Sequence, residues 1–337
     1  MPSIRAVASR AGVSTATVSN VLNARRSVAP DLAARVQQAV QELGYIADLG
    51  ASRLRSRKST IAGVLIPDIG NPFFGAFVAA LESAARRDGY DLLIVSSGGD
   101  PVQEAARLRA LLTWRPAGVI VIPCDDTLAA RDIAVAAGVP MVAADRVPAG
   151  PLIDLVAVDN FDIAYQVARH LVAGGRRHIL AATGNQSISN VQERCNGARA
   201  AIAGTGATFE ILEVGLSHAE ARARLSERLQ ARPVPDALFT LNNLATLGAL
   251  EAVSAAGMSV PGDIAMAGFD DEPWMHVVSP PLTAVRQPVE QMGLAAWERL
   301  MARVGGDTSP PVQVRLPCTL ELRASSQPAP ATQPAGV

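Results

Sequence analysis

From Ile61 onward, short apolar runs alternate with alanine-rich stretches of helical length, and few architectures accept that rhythm. The runs are Ile61–Ile66, Asp91–Val95, Gly118–Ile122, Pro140–Ala143, Leu155–Val158, His178–Ala182, Phe209–Val214, Asp236–Leu241 and Asp263–Phe269. Between them lie segments such as Phe73–Asp88, Val102–Leu112, Tyr165–Ala173 and Asn243–Ala256. A strand that is apolar on both faces must be covered on both, and parallel sheets achieve this with their crossover helices. The alternation continues for roughly 260 residues, more than one hydrophobic core usually organises, so two α/β lobes are expected rather than one sheet.

The first residues follow a different rule. Ile4, Val7, Ala8 and Ala11 fall on one helical face, Gly12 interrupts it, and Ser14 is placed to cap a second helix whose inner side is Val18, Val21 and Leu22. Pro30 and Asp31 suit the first turn of a third helix, Leu32, Val36, Ala39, Val40 and Leu43 form its stripe, and Gly44 ends it. A small Ala8 lets the second helix approach, Gly12 supplies the turn and Val18 locks the pair, which is how a helix-turn-helix is built. Charge agrees with that reading. Residues 1–58 carry nine basic and three acidic side chains, whereas the remaining 279 carry 21 basic and 28 acidic ones, under an overall net charge of −1. A basic head on an acidic body points to a polyanion-binding module, and double-stranded DNA is its expected partner.

Several classes are disfavoured. No apolar run approaches the about 18 residues of a membrane span, so no membrane partner is expected. Met1–Arg10 carries two arginines with no apolar stretch behind them, unlike a signal peptide. Cys124, Cys195 and Cys318 share no metal-binding spacing, which points to reduced thiols in a cytoplasm and to no metal. There is no GxxxxGK[ST] loop, no GxGxxG after the first strand, no HExxH and no GxSxG, and His170, His178, His218 and His276 are isolated. No catalytic residue and no cofactor are expected. Residues 324–337, ASSQPAPATQPAGV, have no charge and are expected to be disordered.

In doubly wound sheets, ligands bind beyond the carboxyl ends of the strands. Here those ends bear Asn71, Phe73 and Phe74, then Asp145 and Arg146, and later Asn242 and Asp270. Aromatic faces beside amides, carboxylates and a guanidinium suit a small polyol, although the rings would also stack on a nucleobase. Asp and Asn at such turns also cap helices, and position alone does not separate the two roles.

These residues resemble the LacI/GalR family of bacterial transcriptional regulators. The resemblance rests on IRAVASRAGVSTATVSNVLN and VQELGY in the head, then IPDIGNPFF, ADR at Ala144–Arg146, GFDD at Gly268–Asp271 and PPLTAVRQP at Pro280–Pro288, in order from about residue 3 to 323. It implies an α/β, two-lobed body like the periplasmic binding proteins, with parallel sheets and flanking helices, plus a small all-α head. The implied organisation is a helix-turn-helix DNA-binding head at 1–46, a hinge helix or linker at 47–59, an effector-binding and dimerisation domain at 60–323, and the tail at 324–337. DNA contacts are expected from Ser14, Thr15, Ala16, Thr17, Ser19, Asn20, Asn23, Ser52, Leu54 and Arg55, with Leu54 wedging into the minor groove. The effector set is Asn71, Phe73, Phe74, Asp145, Arg194, Asn242 and Asp270, in which Arg194 comes from the resemblance alone. The implied function is a repressor, cytoplasmic and homodimeric, on a near-palindromic operator and controlled by a sugar or sugar acid. The alternative is a sugar-metabolising α/β enzyme or a sugar sensor with an appended basic head. The chain departs from the family pattern at Asn20, at Ala47-Asp48, at Gly50 and at Asn243.

Overall fold

The computed structural model describes residues 2–22, 28–45, 59–125, 127, 129–146 and 153–327. The chain divides between Ser59 and Thr60 into two compact units.

The first unit holds α1 (Ile4–Ala11), α2 (Thr15–Leu22) and α3 (Pro30–Leu43). Ser3 opens α1 by accepting the Ala6 N–H on its hydroxyl, and Gly12 closes it in the left-handed region at φ +64°. A Cβ at Gly12 would also press on the Arg35 guanidinium, which donates to the Ala11 carbonyl at 2.6 Å and ties α3 to the turn. Ser14 Oγ accepts the Thr17 N–H at 3.1 Å and starts α2. Val7, Ala8, Ala11, Val18, Val36 and Ala39 bury one another, so the residues that define the turn also define the core. Residues 46–58 and Asn23 lie outside the described residues, and with them the expected hinge and the contacts assigned to Ser52, Leu54 and Arg55.

The second unit opens with β1 (Ile61–Ile66), α4 (Pro72–Arg87), β2 (Asp91–Ser96), α5 (Pro101–Leu112), β3 (Val119–Val121), α6 (Ala129–Ala136), β4 (Met141–Ala144) and β5 (Asp154–Val158). A second lobe follows with α7 (Asn160–Ala173), β6 (His178–Thr183), α8 (Ser189–Ile202), β7 (Thr208–Glu213), α9 (His218–Gln230), β8 (Ala237–Thr240), α10 (Asn243–Ala255), β9 (Ala265–Phe269) and β10 (Thr283–Arg286). The chain then returns to the first lobe for α11 (Val289–Val304) and β11 (Gln313–Leu316), and ends in the second with β12 (Thr319–Glu321). The sheets run β11-β5-β4-β3-β1-β2 and β12-β10-β9-β8-β6-β7, parallel throughout except for the β10–β12 pair. Each lobe therefore repeats the wiring of the other, with β1–β5 answered by β6–β10 and β11 by β12.

Helices cover both faces of each sheet, as continuously apolar strands require. In the first lobe Phe77 and Leu81 of α4 pack with Trp297 and Leu300 of α11 over the β-strand core, and Trp297 Nε1 donates to Asp88 Oδ2 at 2.7 Å. In the second, α7 and α8 approach so closely that a Cβ on Gly197 would run into the Phe161 carbonyl.

Three differences from the sequence reading have local causes. β10, β11 and β12 were not anticipated: each is three or four residues long, and β11 and β12 have no fully buried position that would give them an apolar run. α7 begins at Asn160, five residues before Tyr165, because Asp159 Oδ1 accepts the Asp162 N–H at 3.0 Å and sets the cap. The tail expected to be disordered from residue 324 is folded at its start. Ala324–Ser326 make a 3-10 turn in which Ser325 Oγ donates to the Met266 carbonyl at 2.7 Å and Ser326 Oγ bonds His170 Nε2, also at 2.7 Å. Polar composition suggested an unanchored segment, but short hydroxyls can be anchored by hydrogen bonds, here to the starts of β9 and β10 and to a helix.

Candidate functional site

All seven side chains of the expected effector set line one cavity of about 380 Å³ at the carboxyl ends of the strands, between the two lobes. Asn71 and Asn242 hold it by capping helices. Asn71 Oδ1 accepts the Phe73 N–H at the start of α4, at 3.0 Å, and Asn242 Oδ1 accepts the Ala245 N–H at the start of α10, at 2.7 Å. Capping and cavity lining thus coincide in the same residues, since a cap uses the oxygen and leaves the amide nitrogen available. Phe73 and Phe74 stand edge to face, with ring centroids 5.3 Å apart, and form the apolar wall.

The two cleft carboxylates occupy equivalent places. Asp145 follows β4 and Asp270 follows β9, with φ +63° and +69°. Apart from Arg115, they are the only non-glycine residues at positive φ among the described residues. Left-handed backbone is unfavourable for a residue with a Cβ and is tolerated best by Asp and Asn. Its recurrence at both carboxylates marks positions where side-chain direction outweighs local strain. Asp145 is 4% exposed, and its Oδ2 accepts from Asn190 Nδ2 across the cleft at 3.1 Å. Burial pushes the Asp145 carboxyl above its ordinary value, against the pull of Arg194 and Arg146. Asp270 Oδ1 accepts from Gln287 Nε2 at 2.5 Å and its Oδ2 from the Asn243 N–H at 3.2 Å. Burial pushes Asp270 up to about 6, with Arg194 and Gln287 opposing the shift and Asp145 adding to it.

Arg194 projects from α8 and is 4% exposed. Its Nε donates to Asn160 Oδ1 at 2.8 Å, its Nη1 donates to the Leu241 carbonyl at 2.6 Å, and its guanidinium lies 3.6 Å from the centre of the Phe269 ring. The remaining Nη2 has no protein partner among the described residues. A rigidly held guanidinium with one edge unbonded among the described residues, near two carboxylates, has the chemistry to meet a ligand carrying both acceptors and donors. Arg146 also lines the cavity, but its Nη1 is committed to the Pro123 and Cys124 carbonyls at 2.8 and 3.1 Å.

Sequence reasoning missed Asn190 and Gln287 in the cavity wall, and it met Asn243 only as a departure from the family pattern. Asn190 lies four residues before Arg194 on α8, a spacing that puts both on one helix face and was readable. Gln287 follows β10, a strand that was not anticipated, so its strand-end position was hidden. In the head, Ser14, Thr15 and Ala16 are exposed at the start of α2, while Thr17, Ser19 and Asn20 are half-buried along it. No group of His, Cys, Asp or Glu side chains suited to a metal ion occurs among the described residues.

A helix-turn-helix head in one chain with a two-lobed, cleft-bearing α/β body is the construction of a ligand-responsive DNA-binding regulator. Comparison with known proteins agrees. Residues 3–48 match the family described as bacterial regulatory proteins, lacI family, and residues 59–324 match periplasmic binding proteins and sugar binding domain of LacI family. The chain is 34% identical over 334 residues to the HTH-type transcriptional regulator PtxS of Pseudomonas putida, covering 96% of each. It is 32% identical over 315 residues to the HTH-type transcriptional repressor PurR of Aliivibrio fischeri, covering 90% of this chain and 92% of that one. Among solved structures, a lac repressor dimer bound to operator and the anti-inducer ONPF superposes with a TM-score of 0.85 at 26% identity, over 97% of this chain and 99% of that one. A transcriptional regulator CelR–cellobiose complex gives 0.73 at 27% identity, over 96% and 100%. The chain belongs to the LacI family of bacterial regulatory proteins and is a DNA-binding transcriptional regulator.

Proposed function

We propose that this protein is a cytoplasmic, homodimeric repressor whose hold on a near-palindromic operator is controlled by a neutral or singly anionic sugar or sugar acid in the interlobe cleft. The observation that carries the ligand class is the pair of left-handed carboxylates, Asp145 and Asp270, sharing with Arg194 a cavity that has an aromatic wall. Such a site offers acceptors to vicinal hydroxyls, a donor pair to a ring oxygen or a single carboxylate, and a ring face to C–H bonds. A polyphosphate would need several free cations, and of the two arginines lining the cavity Arg146 is largely spent on backbone carbonyls. The cellobiose in the CelR complex and the operator-bound dimer of the lac repressor belong to those proteins, and they support the same classes of partner here. The reading contains no catalytic step.

In this mechanism the strand ends of both lobes contact one ligand. The ligand shifts the population of lobe relations only as far as its affinities for them differ. Side chains at the start of α2 read base edges in the major groove. The test is a mobility shift on DNA from upstream of the protein's own operon, across a panel of neutral sugars, sugar acids and nucleobases. The expected result is a specific shift altered by one sugar or sugar acid. A specific shift altered only by a nucleobase would overturn the ligand class, and no specific shift would overturn operator binding.

A further inference from the structure

Asn243 lies next to the cleft residues Asn242 and Leu244, outside the effector set described above, and it bonds to both lobes. It opens α10 directly after Asn242 and is 3% exposed. Its Oδ1 accepts the Leu244 N–H at 2.8 Å, which fixes the amide with its nitrogen turned toward the first lobe. That nitrogen donates to Asn71 Oδ1 at 3.0 Å and reaches Glu272 Oε1 at 3.4 Å. The oxygen it meets is immobile, because Asn71 Oδ1 is at the same time the cap of α4. On the other side, the Asn243 backbone N–H donates to Asp270 Oδ2 at 3.2 Å. One residue therefore joins the cap of the first lobe to the carboxylate of the second.

We infer that Asn243 is a positioning residue that latches the two lobes in the relation seen here and couples that relation to Asp270. Its regulatory meaning rests on the reading of the cleft as the effector site, but the latch itself does not. Two groups that a bound effector would engage, Asn71 and Asp270, are the two that Asn243 holds, so occupancy of the cleft and the lobe relation bear on the same hydrogen bonds. The bond is also sensitive to the identity of this side chain. An aspartate here would present an acceptor to the Asn71 oxygen and place a further negative charge beside Glu272 and Asp270, where Arg194 already offsets the charges of Asp145 and Asp270.

The experiment uses the full-length protein without added ligand. Spin labels are attached at Val102→Cys in the first lobe and Val277→Cys in the second, positions that are 73% and 82% exposed. Labelled protein is diluted with unlabelled protein so that only distances within one chain are read. Asn243→Asp is expected to shift and broaden the label-to-label distribution by several ångströms. Asn71→Asp, which keeps an acceptor for both Asn243 and the Phe73 N–H, is expected to retain the narrow wild-type distribution. A distribution for Asn243→Asp that superimposes on the wild type overturns the latch. So does an Asn71→Asp distribution as broad as that of Asn243→Asp, since the effect would then follow from disturbing the cleft and not from losing the donor. Thermal melting verifies that each variant is folded, and Asn243→Ala is read by the same criteria if the aspartate is not. Operator binding by the same proteins is scored separately, so a failure there with the distances as expected counts against the regulator reading and leaves the latch standing.

Discussion

Asp270 combines three properties in one residue: a left-handed backbone, a half-buried carboxylate in the cleft wall, and two donors that hold its oxygens in place. Preorganised acceptors of this kind pay their orientation cost at folding, before any ligand arrives. Replacing Asp270 by Ala is expected to abolish the effector response while operator binding survives, and Arg194→Ala is expected to do the same. Wild-type affinity for the effector in either variant, measured by calorimetry, would make that residue structural. Proton linkage gives a second reading. With its carboxyl pushed up to about 6, Asp270 loses its charge as the pH falls through that value. Affinity for a neutral polyol should therefore drop on the acid side, approaching about tenfold per pH unit. Asp270→Asn should bind more weakly and without that slope, and a slope that persists in it would assign the titration to another group. The same shift has the opposite sign for stability. Between its ordinary 3.8 and about 6, Asp270 binds a proton more tightly folded than unfolded, so it makes the fold less stable as pH rises across that window.

The elements divide by what their sequences could announce. α1 to α3 and β1 to β9 follow from periodicity, caps and apolar runs, because each has its own local signal. β10 to β12 draw their definition from the strands they join, which no window of four residues contains. The strand-end residues of the site were legible for the same local reason, whereas Arg194 sits mid-helix and was reached only through the family motif. At this scale α2 carries a prediction about reading DNA. Asn20→Ala should relax base preference at one operator position, at a cost of about 1–3 kcal/mol, which a scan of single-base operator variants would detect. Uniform weakening across all variants would remove Asn20 from base reading. A second prediction concerns the seam between β5, α11 and β11. Asp154 is 2% exposed and accepts from Arg303 Nε at 2.6 Å, from Arg299 Nη2 at 3.1 Å and from the Val312 N–H at 2.8 Å. Burial alone would raise its pKa, but these partners together hold the carboxyl below its ordinary value. Asp154→Ala leaves two arginines facing an emptied site, and a loss of about 3–5 kcal/mol is expected in urea denaturation. A loss under about 1 kcal/mol would class the cluster with surface ion pairs.

For the whole molecule, one small head offers few base contacts, and helix-turn-helix proteins commonly reach useful specificity by pairing on two-fold sites. Light scattering at micromolar concentration is expected to show a dimer, and a monomer both with and without operator would refute it. Within each chain the lobes are joined by three separate crossings, at 158–160, 286–289 and 316–319. A single peptide cut therefore cannot sever the body. A protease that nicks one crossing would leave a molecule running intact on a native gel and falling into fragments only under denaturant. Three supports also behave differently from one: a lone cord lets its two halves spin freely, whereas three side by side permit bending far more readily than rotation about the long axis. Opening and closing is then the motion such a body allows at least cost, so a small-molecule signal reaches the rest of the chain as a change of angle rather than a loss of register.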